Sequence, residues 1–290
     1  MNSSNEHTPS GATVSVEVLT TDDKAEFLKM ETGLSNDYVA MFFDELVNTS
    51  EFIKAVDRQG EMVGVGRIVP VTDKHAYLSS ARVALSQRGK GIGTTMALHL
   101  IERARKRGFQ WAGLCTNHYN KPVIRMMENI GMRMYGHHLS VDIPTDSLSS
   151  ATTPAPITRL NLDRDDKLSL IKREFSHHPV YAYSPYQHIP WDPEVLTPEH
   201  LDRLSIYQWN DRIIAHKVDD DHFIQLQIPD LKVIEDLDAL GRLLAHWKVP
   251  ERSILLELPL SGSEIGNLAI AEGSIIEDNE QWLVYGLSLE

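Results

Sequence analysis

The chain has 290 residues, with 28 Lys+Arg against 41 Asp+Glu for a formal net charge of −13, and 42% hydrophobic and 24% charged residues. That size suits two domains or one large one, and the composition excludes collagen-like, disordered and disulfide-scaffold classes. The charge disfavours a nucleic-acid partner, the apolar stretches are too short to span a bilayer, and the start MNSSNEHTPSGAT lacks the regions of a signal peptide, so a cytoplasmic protein is expected.

Residues 1–12 are polar and small and read as a disordered tail, and order is expected to begin with the alternation of Val14, Val16 and Val18 in a strand. Thr21 and the two acids after it offer an N-cap to a helical segment, and a second helix is predicted from Tyr38 to Asn48. Phe52–Val56, Val63–Val69 and Ala76–Leu85 read as three strands, the first two joined at Arg58–Gly60. A glycine-rich turn follows. Gly93–Lys106 is then an amphipathic helix closed by Gly108, Trp111–Thr116 a buried strand, Lys121–Ile130 a helix stopped by Gly131, and Met132–Val141 a closing strand. Cys115, the single cysteine, falls in the apolar strand and is expected to be a buried structural thiol.

The Ser, Thr and Pro cluster within Asp142–Pro156 is the best linker, which divides the chain into a domain over 13–145, a linker over 146–157 and a second domain over 158–290. The acidity lies in the second half: residues 1–150 hold 16 Lys+Arg and 17 Asp+Glu, against 12 and 24 in residues 151–290. Laid on itself at an offset of 142, the chain brings Leu98 onto Leu240, Leu114 onto Leu256 and Gly131 onto Gly273. The second half also reads strand (His222–Ile228), helix (Asp236–Trp247), strand (Ser253–Leu258), helix (Gly262–Glu272) and strand (Gln281–Leu287). Two copies of one fold are therefore expected.

Chemistry concentrates where the strand ending near Leu85 breaks into Arg88, Gly89, Lys90, Gly91, Ile92, Gly93 and Thr94 before the helix. Glycines let successive amides converge on phosphate oxygens, the helix N-terminus adds partial positive charge, and Arg88 and Lys90 add full charge. A Walker loop is excluded because Lys90 lies between glycines rather than before a helical Ser or Thr. A dinucleotide fingerprint is a poor fit: the spacing is G-x-G-x-G, and no acid stands about 20 residues on. Asp219–His222 reads as a solvated turn, and the pairs His137–His138 and His177–His178 lack spaced partners, so no metal is expected.

With Arg88, Gly91 and Gly93 in a Q/R-x-x-G-x-G/A pattern, and with Asn120 opening a helix that ends at Gly131, the segment from about 14 to 143 resembles the GNAT superfamily of acetyl-CoA-dependent N-acetyltransferases. The resemblance implies an α/β (α+β) fold of two tandem mixed-sheet domains, each a central twisted sheet flanked by helices. It implies an acyltransferase that uses acetyl-CoA as cosubstrate and attacks directly in a ternary complex. The pyrophosphate would lie on the amides from Arg88 to Thr94, the pantetheine arm on Val83 and Leu85, and an oxyanion donor near Val83 or Ala84, with Asn120 part of the cofactor site.

The family's usual acid, a tyrosine in the helix after Asn120, is replaced by Met127, and the strand from Ala76 to Leu85 carries no carboxylate. His118, Tyr119 and Glu31 are the remaining catalytic candidates, and Asp37, Tyr38 and Ser80 the substrate-binding ones. Faint similarity of Ser35–Val39 and Ala81–Ala84 to the histidine N-acetyltransferases favours a small, amino acid-like amine as acceptor. A peptide or protein N-acetyltransferase and a non-catalytic acyl-CoA-binding sensor are the rivals. In the second half the cradle positions become Asp230, Leu231, Val233 and Glu235, so that copy is expected to be degenerate and to serve the acceptor pocket, the stability of the first copy, or pairing into a homodimer.

Overall fold

A computed structural model describes residues 14–71, 73–144, 157–174, 182–184, 187–189, 201–202, 205–209, 212–219, 223–227, 253–259 and 279–289. Contacts group the chain into two units, Met1–Leu114 with Pro122–Arg133 and Gly286–Glu290 in the first, and Cys115–Lys121 with Met134–Tyr285 in the second.

In the first unit the alternating and β-branched runs give β1 (Ser15–Val18), β2 (Glu51–Val56), β3 (Met62–Pro70) and β4 (His75–Val83), paired antiparallel in that order, with β5 (Trp111–Asn117) parallel to β4. Between β1 and β2 stand three short helices, α1 (Lys24–Phe27), α2 (Tyr38–Met41) and α3 (Phe43–Thr49). The continuous helix expected from Tyr38 to Asn48 is broken at Phe42, whose φ of −112° and ψ of 26° are not helical. Val39 and Phe43 on either side of the break are buried with Phe27, Phe52 and Val65, so one face of the sheet is closed by packing rather than by a long helix.

The other face of the sheet carries α4 (Ile92–Lys106), which buries Met96, Ala97, Leu100, Ile101 and Ala104 on a 3.6-residue stripe and stops before Gly108 in the left-handed conformation. β3 lets the helix come close by presenting Gly64: a Cβ there would sit 2.7 Å from Met96 Sδ and 2.9 Å from the Arg82 carbonyl oxygen. α5 (Lys121–Asn129) follows β5 and ends at Gly131, as expected. Cys115 is half-buried rather than buried, as are Trp111 and Asn117 on the same side of β5, while Ala112, Gly113, Leu114 and Thr116 are covered.

The second unit contains β6 (Arg133–Pro144) from Met134 on, β7 (Ile157–Arg159), α6 (Arg164–Glu174), the small hairpin of β8 (Ala182–Ser184) and β9 (Gln187–Ile189), and then β10 (Ser205–Trp209), β11 (Arg212–Asp219), β12 (Phe223–Gln227), β13 (Ser253–Pro259) and β14 (Asn279–Ser288) as far as Tyr285. β7, β10, β11 and β12 pair antiparallel in that order, and β13 runs parallel to β12. This repeats the strand order of the first unit, helix after the first strand included, and β13 is β5 shifted by 142 residues at both ends.

β6, read from the sequence as the closing strand of the first domain, pairs with β13, from Pro144 opposite Ser253 to His138 opposite Pro259. Gly286–Glu290 count with the first unit, where the Leu289 N–H donates to the Gln110 carbonyl at 2.8 Å. The units therefore do not divide at a single point in the chain. The tail 1–12, the residues 145–156 of the linker, the expected helices at 236–247 and 262–272, and Asp230–Glu235 lie outside the described residues. Among the described residues, no helix is long and apolar enough to cross a membrane.

Replacing Gly64 with alanine should force α4 off β3, since one of the two clashing atoms is backbone. We expect a loss of about 1–3 kcal/mol in unfolding free energy, seen as a lower denaturant midpoint with an unchanged slope.

Candidate active site

β3 and β4 pair through a bulge: Arg67 faces Ser79 and Val65 faces Arg82, so Ser80 and Ala81 together oppose Gly66. Ser80 absorbs the irregularity with φ of +56°, a conformation that costs a non-glycine residue about 1 kcal/mol or more. On its other edge β4 pairs with β5 only from His75–Tyr77 against Trp111–Gly113, and the register goes no further. The edge of β4 from Leu78 to Val83 is thereby left open beside a glycine-rich turn.

Backbone hydrogen bonds decide which groups of that edge can meet a ligand. The Ala84 N–H donates to Val63 O, which makes Ala84 and Val63 a hydrogen-bonded pair and directs the N–H and C=O of the preceding Val83 away from β3. The Leu85 N–H donates to Glu31 O and its carbonyl accepts from the Arg88 N–H, at 2.9 and 3.3 Å. Ala84 and Leu85, both placed from the sequence among cofactor-binding groups, thus have their amides engaged within the fold, and Val83 alone of the three turns its amide outward.

Beyond a one-turn 3-10 helix at Leu85–Gln87, Gly89 has φ of +77° and Gly91, the N-cap of α4, φ of +82°. The first amide to be satisfied in α4 is that of Thr95, which donates to Gly91 O at 3.0 Å. Among the described residues no backbone acceptor takes the amides of Gly89, Lys90, Gly91, Ile92, Gly93 and Thr94. A row of outward N–H groups at a helix N-terminus, with open space around Gly89, fits a diphosphate.

Arg88 plays a different part from the free cation expected of it. Its Nη2 donates to Thr32 O at 2.7 Å and its Nε to Val83 O at 3.3 Å, so the guanidinium ties the 31–33 loop to the start of the cradle. Lys90 donates to Gln87 Oε1 at the exposed rim.

The face of β3 and β4 opposite α4 carries a polar network. Asp37, 7% exposed, caps α2 by accepting from the Val39 N–H and also takes two hydrogen bonds of 2.9 Å from Arg82 Nε and Nη2. The Arg82 guanidinium lies 5.1 Å from the centre of the Tyr38 ring, and the Tyr38 hydroxyl is 2.9 Å from Ser80 Oγ. Ser79 Oγ is 3.5 Å from Ser80 Oγ and accepts from Arg67 Nε at 3.0 Å. The fold therefore brings the three expected substrate-binding residues, Asp37, Tyr38 and Ser80, into one network, together with Arg67, Ser79 and Arg82, which the sequence reading did not single out as site residues. A buried arginine in the middle of β3 is the signal that could have pointed there.

Burial alone would raise the Asp37 pKa, but the hydrogen bonds and charge of Arg82, the Val39 N–H and the Thr32 hydroxyl outweigh it and hold the carboxyl below its ordinary value. The stabilisation is fully present above the unfolded-state value, about pH 4, and is lost as the pH falls through the lowered folded value.

Glu31 is exposed, beside a groove of about 510 Å³ lined also by Leu28, Thr32, Leu34 and Met41. His118 and Tyr119 fall in the segment that counts with the second unit, their ring centres 3.6 Å apart, and Tyr119 is 72% exposed. Asn120 Nδ2 donates to Thr116 Oγ1 within that same turn. Met127, at the position of the family's usual acid, is fully buried and packs as core. Among the described residues no group of three His, Cys, Asp or Glu side chains could hold a metal.

Residues 18–132 match the profile of the Acetyltransferase (GNAT) family. That stretch is similar to acetyltransferases of this family. The uncharacterized N-acetyltransferase YjgM of Escherichia coli (strain K12) is 33% identical over 79 residues, 26% of this chain and 47% of that protein, so the chain spans about half the length of this curated relative. The structure of a GCN5-related N-acetyltransferase from Sphaerobacter thermophilus is similar over 96% of both chains with a TM-score of 0.54. At 11% identity that likeness is one of fold.

Arg82→Met leaves the Asp37 carboxylate buried without its cation, and we expect it to cost about 3–5 kcal/mol at pH 7. Denaturant unfolding followed across pH should show the loss shrinking toward acid, where a protonated Asp37 no longer needs the cation.

Proposed function

We propose that the protein transfers the acetyl group of acetyl-CoA to a primary amine of a small molecule by direct attack in a ternary complex. The observation that carries this reading is the run of unsatisfied amides from Gly89 to Thr94 on a left-handed glycine N-cap, inside a stretch similar to an acetyltransferase family. Bound there, acetyl-CoA supplies an acyl group already activated as a thioester. The chain's own contribution is to grip the diphosphate with six amides, to lead the arm along the open edge of β4, and to present the outward Val83 N–H where negative charge develops on the acetyl oxygen.

An ammonium cannot attack, so the acceptor must lose a proton, and the departing thiolate gains from receiving one. Within the first unit Glu31 is the group we assign to these proton movements, with Met127 unable to carry one; His118 and Tyr119 count with the second unit. Much of the rate can come from holding amine and thioester together in the right orientation. Within the first unit, Arg88 and the Leu85–Glu31 hydrogen bond fasten the 31–33 loop to the cradle, so thioester binding steadies the segment that leads to Asp37 and Tyr38. The apolar rim of the groove, with Leu28, Leu34 and Met41 half exposed or more, favours a peptide acceptor as second reading, which peptides in the same acceptor panel would reveal.

Gly91→Val puts a β-branched residue at φ of +82° and removes the N-cap geometry that aims the amides. The expected result is a loss of acetyl-CoA affinity on the order of 100-fold by calorimetry, with far-UV circular dichroism retained. Unchanged affinity would refute the assignment of the cradle.

A further inference from the structure

Arg67 is 3% exposed, in the middle of β3. One of its five N–H donors, that on Nε, is used on Ser79 Oγ, and its Cζ lies 5.5 Å from the centre of the Phe52 ring. Among the described residues it belongs to no ion pair, and Nη1 and Nη2 have no acceptor, yet neither nitrogen is sealed from solvent. Arg82, on the same face, is the opposite case, with its charge spent on Asp37. Among the described residues Asp37 pairs with Arg82 and not with Arg67, which leaves a buried positive charge beside the hydroxyls of Ser79, Ser80 and Tyr38.

A buried cation without a counter-charge is expensive, and an arginine in particular offers two parallel N–H groups matched to a carboxylate. Burial, partly countered by Tyr38 and Tyr77, draws the Arg67 pKa down from its ordinary value, but an arginine stays charged near neutrality. The charge calls for an anion from outside the chain. Arg67 stands three residues along β3 from Gly64, which faces Val83, and three residues of strand cover about 10 Å. An anion on Arg67 and an amine beside the Val83 N–H are therefore within the compass of one small molecule.

We propose that Arg67 receives a carboxylate of the acceptor, so that the amine acetylated belongs to an amino acid or another small aminocarboxylate, not to a polyamine. This rests on the acetyl-transfer reading above, and it makes Arg67 a specificity-determining residue of that site. The Ser79, Ser80 and Tyr38 hydroxyls flank the anion with neutral hydrogen-bonding groups, which can adapt to it without adding charge.

The test measures CoA release by the full chain, corrected for hydrolysis, with acetyl-CoA and a panel of free amino acids, the same amino acids as carboxamides, and spermidine; acetyl-CoA binding is measured separately by calorimetry. The inference predicts a preference for free carboxylates over their amides on the order of 10- to 100-fold in kcat/KM. Arg67→Gln should remove that preference by raising the acceptor KM while the affinity for acetyl-CoA stays as it was. Should the variant fail to fold, the carboxylate-to-amide ratio of the unaltered protein decides alone. Amides or spermidine used as well as free amino acids, or acetyl-CoA bound with no carboxylated amine accelerating release, would overturn the role of Arg67 and leave the cradle standing. No binding of acetyl-CoA would overturn both readings together.

Discussion

A helix that begins at a left-handed glycine turns its first amides outward, with no backbone acceptor among the described residues to take them, and the neighbouring features of the first unit are arranged around that condition. The glycines at 89 and 91 keep side chains away from the amides. Gly64 brings α4 close to β3, which fixes the helix N-terminus at the end of β4. The bulge at Ser80 and the early end of the β4–β5 register leave an open strand edge leading to it. Unsatisfied amides that face solvent cost little until an anion arrives, and then they are already in place.

Charge is divided in the same way. At the cradle it is supplied mostly by backbone, since Arg88 is committed to the Thr32 and Val83 carbonyls and works as a tie between two loops. On the opposite face of the sheet it is supplied by side chains, and there Asp37 pairs with one guanidinium while the other has no ion pair among the described residues. An anionic cosubstrate and an anionic acceptor would then be held by different chemistry on different elements, which allows each to be read independently of the other.

Much of the first unit could be read from the chain. Alternation at β1 to β4, the apolar stripe of α4 and the glycines that end α4 and α5 are local signals, and they fell within a few residues of the observed bounds. The glycine turn before α4 was visible for the same reason, because glycine spacing and the residues around it are contiguous. What stayed hidden depends on pairing between distant segments. Phe42 breaks a helix that local propensity favours, because burying Val39 and Phe43 against Phe52 asks for a kink. The occupied amides of Ala84 and Leu85 follow from Val63 and Glu31, and the partnership of β6 with β13 from contacts more than a hundred residues apart. Arg67 carries no motif at all; its meaning lies in having no carboxylate partner among the described residues. Of the second unit, β12, β13 and β14 fall where strands were expected, and β13 lies 142 residues after β5 at both ends, whereas β7, β10 and β11 were not foreseen.

The grip of the chain on a diphosphate is open to direct observation by nuclear magnetic resonance, with backbone amides assigned and CoA titrated into the labelled protein. The account predicts the largest downfield shifts at Gly89 to Thr94, joined by Val83, with the amides of Ala84 and Leu85 moving least among their neighbours. Shifts that gather elsewhere while the N-terminus of α4 stays silent would contradict it.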